Sequence, residues 1–477
     1  MKPFDREIVS GSILRSVWKL SWPLVLLNLV NGLHGFVDHI LVGHFIGSAN
    51  NAANAAIGVA WQVFLVIVVF VASIFHGTNV LIARYAGRQD RRTLSNVFYS
   101  SLICSIGVLV LVVAPAGWVI APRLLDFVGA APEVRVHALP YLRILFTMGA
   151  PLFMMFMLTG AFNASGDPKT PLKLGVLTTL LNILISTVLI TGAGPFPAMG
   201  TTGAALGTVL APAFSVCAGL WLVARGRMII QPPKRYRVLP DFTIIAAVVR
   251  IGVPTGIQGV LLNIGGVFLL RYIGALEHGA AAQAAYTICY AQLFSLVTWT
   301  SFGLRAAAGT LMGQNIGAGN PARGKTAVGI TAVIGACWAV AIGLLFWAAP
   351  GPLLSAFNAV DEPIRGYGLS LLRHLSFAGV ALAATLALTG GLQGSGETKI
   401  PMYIAFLTQI VILLSCCQGL LWAGMLTVEW VWRILVITQV SRLVLTWAVF
   451  RTDKWAHTRI ELAVSAEPLE EEGIAGI

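Results

Sequence analysis

The sequence predicts an all-α polytopic membrane protein with twelve transmembrane helices in two related six-helix lobes, and three observations carry that expectation. Of 477 residues, 57% are hydrophobic and 10% are charged, where a soluble globular chain carries ~25% charge. Uncharged apolar runs of about 18 residues or more recur from end to end, each able to cross a ~30 Å hydrocarbon core as a helix. The two halves also repeat one another. A soluble protein is excluded, and the net charge of +12 does not point to nucleic acid, because the basic residues sit in short loops between apolar runs and set topology there.

The expected spans of the first lobe cover 20–45, 54–83, 96–120, 138–161, 172–191 and 202–224; those of the second cover 244–273, 280–312, 326–349, 368–392, 402–422 and 431–450. Basic and bare connectors alternate. Arg84, Arg88, Arg91 and Arg92, then Lys169 and Lys173, then Arg225 to Arg237, then Arg323 and Lys325 mark one side, whereas 47–53 and 192–200 carry no charge. By the positive-inside rule both termini are cytoplasmic and the chain is a multi-pass protein of the plasma (inner) membrane. Residues 1–19 form a polar cytoplasmic segment, 20–224 the first lobe, 225–243 a cytoplasmic linker with Pro232, Pro233 and Pro240, 244–451 the second lobe, and 452–477 an acidic tail expected to be disordered. The stretch after residue 19 is too long for a cleaved signal peptide and lacks a cleavage site. The six cysteines lie in apolar runs without metal-type spacing, so neither disulfides nor a metal cage is expected.

The repeat is explicit. Leu158 to Pro171 (LTGAFNASGDPKTP) matches Leu388 to Pro401 (LTGGLQGSGETKIP) at seven of fourteen positions with an offset of 230, which also pairs Gly87 with Gly317, Pro122 with Pro352 and Arg143 with Arg373; Pro23 pairs with Pro254 at 231. A duplicated unit of six helices enters the membrane twice in the same sense, so the pseudo-twofold axis lies along the membrane normal. A cavity between the lobes that opens to either side, and hence alternating access, follows.

Two motifs then carry a resemblance over roughly residues 14–451. The first span holds an acid before a short glycine motif, Val37-Asp38-His39-Ile40-Leu41-Val42-Gly43-His44, and the duplicated Gly160 to Pro171 and Gly390 to Pro401 each lead into an apolar span. In both the chain resembles the multidrug and toxic compound extrusion (MATE) family, of the superfamily that includes lipid flippases. The resemblance implies two lobes in a V, export of lipophilic and often cationic organic molecules, and coupling to inward H+ or Na+. No enzyme activity, and no cofactor beyond the coupling ion, is expected; the expected partners are a small-molecule substrate and membrane lipid, not nucleic acid, and the expected state is a monomer.

Asp38 is the one acid well inside an expected span. It lies sixteen residues past Trp22, about 24 Å above the inner interface at about 1.5 Å per residue. A carboxylate there costs ~2.5 to 3.5 kcal/mol on insertion scales and is normally retained for ion or substrate work; apolar surroundings oppose its ionisation, which lets it take up and release a proton in each cycle. Asn28, Asn31 and Gly35 continue its face at helical spacing, with His34 one turn below as either a proton relay or a hydrogen-bonded packing residue. His39, His44 and His76 do not share that face or that span. In the fifth span Thr178, Asn182 and Ser186 recur every four residues. Family members often carry an Asp four residues after that Asn; Ser186 stands there here, which weakens a Na+ site that wants several oxygen ligands and negative charge. H+ is therefore favoured over Na+. No acid lies deep in spans seven to twelve, so coupling through Asp38 resembles the DinF-like more than the NorM-like branch.

For substrate, the eighth span offers Gln283, Tyr286, Tyr290, Gln292, Trp299 and Arg305, and the second Trp61 and Gln62; aromatic faces suit flat cations. The same stripes also fit helix packing. Gly319 to Thr326 (GNPARGKT) fits the phosphate-loop pattern, but that motif needs a preceding strand, and a membrane helix is expected there. Gly309, Gly313 and Gly317 form a small-residue face for close packing. Arg143, Arg271, Arg373 and Arg433 lie toward outer helix ends, where they snorkel. Two competing readings remain. A lipid-linked precursor flippase calls for a cationic cavity and often two more spans, neither evident in the sequence; an integral-membrane enzyme such as a prenyl transferase needs acidic metal clusters, and no such motif is found.

Overall fold

The computed structural model describes residues 2–45, 51–129, 131–232, 239–357 and 361–458; the side chains of 33–45, 51–55, 61–63, 65–66, 69–70, 72–74 and 457 lie outside that description. The described residues form helices and turns, with no strand among them. A single turn, α1 (Arg6–Ser10), precedes α2 (Ile13–Phe45), α3 (Asn51–Gly87), α4 (Arg91–Val108), α5 (Ala114–Phe127), α6 (Pro132–Met148), α7 (Ala150–Ala164), α8 (Lys169–Thr191) and α9 (Gly200–Ala224). The second half comprises α10 (Phe242–Gly274), α11 (Gly279–Tyr286), α12 (Ser295–Gly317), α13 (Pro321–Ala348), α14 (Pro350–Ser355), α15 (Glu362–Gly394), α16 (Lys399–Phe406), α17 (Ser415–Trp422) and α18 (Val428–Arg451). Wide π-helical turns over Leu109–Val113, Thr287–Leu293 and Leu407–Leu414 join α4 to α5, α11 to α12 and α16 to α17.

Among the described residues nine helices are long and apolar enough to cross a membrane, ten when the bent pair α6 and α7 (51°) is one span. The second and eighth expected spans fall on α3 and on the rod from α11 to α12; part of α3 lies outside the described side chains, and α12 carries Arg305, Gln314 and Asn315. The bend has a local cause. Pro151 cannot donate to the preceding turn and follows Gly149, whereas its repeat counterpart is Ala381 and α15 runs unbroken over 33 residues.

The duplicated motif is a helix stop joined to a helix start. Gly166 (φ 96°) and Gly396 (φ 94°) adopt the left-handed conformation, which costs glycine nothing. Each closes the same cap: Asp167 N–H donates to Phe162 O at 2.9 Å and Glu397 N–H to Leu392 O at 3.0 Å. The acids then cap the next helix, Asp167 accepting from Thr170 Oγ1 at 2.7 Å and Glu397 from Ile400 N–H at 3.2 Å. Repetition here preserves a turn. The outer ends repeat too: Arg143 stacks on Trp118 at 4.4 Å and Arg373 on Trp347 at 5.6 Å.

Apolar packing gathers residues 56–251 into one core and 269–435 into another. The first helix of each half crosses over. Val17, Leu20, Leu24 and Leu27 of α2 pack with Ala307 and Leu311 of α12, while Ile244, Val248 and Ile251 of α10 join the core of the first half. The connection after α9 is docked: Met228, Ile229 and Ile230 are buried, and Gln231 N–H donates to Ser95 Oγ at 3.0 Å. The GNPARGKT stretch spans the turn from α12 to α13, with Pro321 opening a helix and no strand before it. Residues 459–477, most of the expected tail, lie outside the described residues.

Candidate functional site

Two polar regions lie within the apolar helices, one in each half. In the first, Thr178, Asn182 and Ser186 share a face of α8, as their spacing implies. Thr178 Oγ1 lies 2.8 Å from Ser215 Oγ on α9. Asn182 and Ser186 are completely buried, and neither the Asn182 amide atoms nor Ser186 Oγ has a hydrogen-bond partner among the described residues. A buried polar group left unpaired costs about 1–3 kcal/mol. Gly207 of α9 lies so close that a Cβ there would stand 2.0 Å from Ser186 Oγ.

The other side of α8 faces α2. A Cβ on Gly175 would stand 2.2 Å from Leu27 Cδ1, and both helices begin at the basic-loop end, so they run the same way. Asn182 and Ser186 lie seven and eleven residues beyond Gly175, as His34 and Asp38 lie beyond Leu27. At about 1.5 Å per residue the backbones of Asp38 and Ser186 are both about 16 Å above the contact. The side chains of His34 and Asp38 lie outside the described residues, as do those of Trp61 and Gln62. Asn28 is half-buried and donates to Leu24 O at 2.8 Å, and Asn31 is exposed.

The second region is cationic. Arg305 of α12 donates from Nε and Nη2 to Gln393 Oε1 at 3.1 and 2.7 Å, and Gln393 Nε2 donates to Gln258 Oε1 at 2.8 Å. Arg442 of α18 is 3% exposed, and its Nη2 has no partner. The two guanidinium groups lie within electrostatic reach of one another, Tyr290 within reach of Arg442, and His76 of α3 within reach of Arg305. Arg305 stands twelve residues, about 18 Å, from the end of α12, and Arg442 nine residues, about 14 Å, from the end of α18. Insertion scales charge ~2.5 to 3.5 kcal/mol for such an arginine. Glu277, Glu362, Glu397 and Glu429 occupy loops, caps or first turns, so no carboxylate among the described residues of this half lies at that depth.

This corrects two expectations: not all basic residues sit in loops, and the second half does hold a buried cationic region. Arg442 was not singled out by sequence reasoning, although an arginine eleven residues into an expected span is a visible signal. Gln258 and Gln393 carry no such signal, since their role depends on which helices meet.

The other expected substrate residues are spread out. Tyr286 is buried in a stack, 4.8 Å from Tyr290 and 6.1 Å from Trp432 between ring centroids, and Tyr290 continues it to Phe294 at 5.4 Å. Trp299 covers Gly32 of α2. Gln283 donates to Leu270 O at 2.9 Å near the outer end of α10, and Gln292 is half-buried in the π-helical turn.

Comparison with known proteins agrees with this architecture. The MatE family profile matches twice, over residues 23–188 and 254–417, so the repeat is also a repeat of the family unit. A probable multidrug resistance protein NorM of Thermotoga maritima is 26% identical over 398 residues, 83% of each chain. A multidrug resistance protein NorM of Burkholderia vietnamiensis is 24% identical over 403 residues, 81% of this chain and 82% of that one. Among solved structures, an outward-facing multidrug resistance MATE family transporter superposes with a TM-score of 0.87 at 21% identity, covering 96% of this chain and all of that one. A transporter of the same superfamily from Pyrococcus furiosus, described as having a binding pocket of reversed polarity, superposes with a TM-score of 0.84 at 22% identity, covering 95% and 98%.

Proposed function

The chain belongs to the MATE family of multi-pass membrane transporters, and from that premise we propose that it is a secondary exporter of lipophilic organic compounds driven by inward flow of H+. In this reading Asp38 exchanges a proton once per cycle. Its depth is that of Asn182 and Ser186, two completely buried residues without partners among the described residues; this is the observation that carries the proposal, because burial of unpaired amide and hydroxyl groups is retained where a changing ligand needs them. Thr178 and the Asn31 face extend the same polar path, and His34 is the candidate relay. The absence of a second acid at Ser186 favours H+ over Na+, and coupling through one carboxylate in the first half follows the DinF-like pattern although the named relatives are NorM proteins.

The lobes are 20–224 and 244–451, joined by 225–243, with both ends of the chain in the cytoplasm and the protein a monomer of the inner membrane. The basic-loop ends of α3 and α12 meet backbone to backbone, which supports a state closed to the cytoplasm. Lipophilic cations, the substrates the resemblance implies, would be received at Asp38 and released as a proton displaces them, with Trp61, Gln62, Tyr290, Gln292 and Trp299 as candidate walls.

The test is dye efflux from everted vesicles under an imposed pH or Na+ gradient, comparing wild type with Asp38→Asn. The pH gradient drives efflux in the wild type, and the substitution abolishes it while expression persists. Equal efflux by the variant removes Asp38 from the mechanism; efflux driven only by Na+ replaces the coupling ion.

A further inference from the structure

We propose that the second half contains an anion-binding site formed by Arg305 and Arg442, so that part of the cargo is an amphiphile with a carboxylate, phosphate or sulfonate head; this rests on the transporter reading above and extends its substrate class.

Three observations converge. Arg442 is 3% exposed, donates no hydrogen bond among the described residues and leaves Nη2 fully covered without a partner there. Arg305, which keeps partial exposure, is held only by a neutral amide, Gln393, itself fixed by Gln258. A guanidinium oriented by an amide is braced but not neutralised, and two such charges in reach of each other gain most from a shared anion that accepts from both forks. α12, which carries Arg305, also packs on α2 and α3 of the other half, which puts the site beside the interface between halves.

The repeat separates this from scaffold chemistry. At the 230 offset, Arg305 falls opposite Phe75 and Arg442 opposite Pro212, while Thr208 and Thr438 keep the register of α9 and α18. Conversely Asn182 and Ser186 fall opposite Ile412 and Cys416, and Asp38 opposite Phe268 or Leu269. Neither half carries these polar groups at the positions equivalent to the other's. π-Helical turns, which often mark functional sites, place Tyr290 and Gln409 on the rods of this half.

Purified protein in phosphatidylcholine nanodiscs is titrated with dansyl undecanoate, with its methyl ester and with a dansyl-labelled phosphatidate. The carboxylate binds about tenfold tighter than the ester. Arg442→Gln and Arg305→Gln each weaken the carboxylate about fivefold or more and leave the ester unchanged, whereas Arg442→Lys stays within about threefold of wild type. Binding of phosphatidate as well supports a lipid head group as the source, and binding of the carboxylate alone supports a free organic anion. Equal binding of acid and ester by the wild type overturns the site without need of any variant. So does unchanged carboxylate binding by a Gln variant that elutes and melts as wild type. No ion gradient enters the assay, so failure of coupling through Asp38 leaves this result standing, and the reverse.

Discussion

Gly87 and Gly317, 230 residues apart, make the same contact in opposite directions. A Cβ on Gly87 would stand 2.0 Å from the carbonyl oxygen of Gln314, and a Cβ on Gly317 2.0 Å from that of Arg84; Arg84 and Gln314 are themselves 230 apart. Their side chains also cross over. Arg84 Nη2 donates to Ser395 O at 3.4 Å in the second half, and Gln314 Nε2 donates to Ala164 O at 2.8 Å in the first. Each helix end therefore reaches the duplicated turn of the other half, and the pseudo-twofold axis passes between α3 and α12 at the basic-loop end.

Adding a methyl group here forces the backbones apart, at a cost of about 1–3 kcal/mol for overpacking. Gly87→Ala and Gly317→Ala should open this end by similar amounts, because the contacts are equivalent. The measurement is the distance between spin labels at positions 88 and 318. A population at longer distance is expected in both variants; a shift in one alone would show that the contact is not symmetric in energy.

The amino-terminal segment seals the same end from below. Lys2 pairs with Asp167 at 2.5 Å and its carbonyl accepts from Arg91 at 2.8 Å, both in the first half. The carbonyl of Ile8 accepts from Asn315 Nδ2 and from Arg323 at 3.4 Å, both in the second. Ile8 is 1% exposed, so Ile8→Ala should cost about 2–5 kcal/mol of this docking. The spin-label distance at positions 88 and 318 should lengthen in that variant as well, and an unchanged distance would mean that the segment rides on the closed end without holding it.

The same segment should respond to acid. The Lys19 ammonium beside Glu7 holds its carboxyl below the ordinary value of 4.5. The folded carboxyl thus ionises more readily than the unfolded one, so its contribution is fully present above that value and is lost as pH falls through the lowered one. A spin label at the exposed position 10 should stay immobile down to about pH 5 and gain mobility only in stronger acid. Glu7→Gln should reduce the pH dependence, leaving the part carried by Asp5, which also pairs with Lys19, and by Asp167, which pairs with Lys2; loosening near neutrality would assign it to another group.

The fold was legible because membrane helices announce themselves by length and apolarity, and because a tandem repeat survives in turns where only glycine fits, as at Gly166 and Gly396. Pro151 opposite Ala381 even marks which fourth span is bent. The polar sites were legible only in part. Spacing places Thr178, Asn182 and Ser186 on one face, since periodicity is local; it cannot show that Asn182 and Ser186 lack partners among the described residues while Thr178 has Ser215. Arg305 and Arg442 stand 137 residues apart, and their nearness is a product of α12 and α18 both packing on α15, which no local pattern encodes. The docking of Ile8 between Asn315 and Arg323 is hidden for the same reason.

Asn182 allows stability and function to be separated. Its side chain is wholly buried, and both of its polar atoms lack partners among the described residues, which corresponds to a desolvation cost of about 1–3 kcal/mol. Leucine keeps the same branched heavy-atom skeleton, though its methyl groups are bulkier than the amide, and carries no such cost. Asn182→Leu should therefore raise the thermal melting temperature in detergent while lowering pH-driven efflux by about tenfold or more, because a group near Asp38 that hydrogen-bonds one protonation state better than the other is gone. Ser186→Ala should do the same more weakly, as it removes one hydroxyl. If Asn182→Leu lowers stability, the amide has a partner in the folded state and its role is structural; if efflux is unchanged, the polar face of α8 takes no part in coupling.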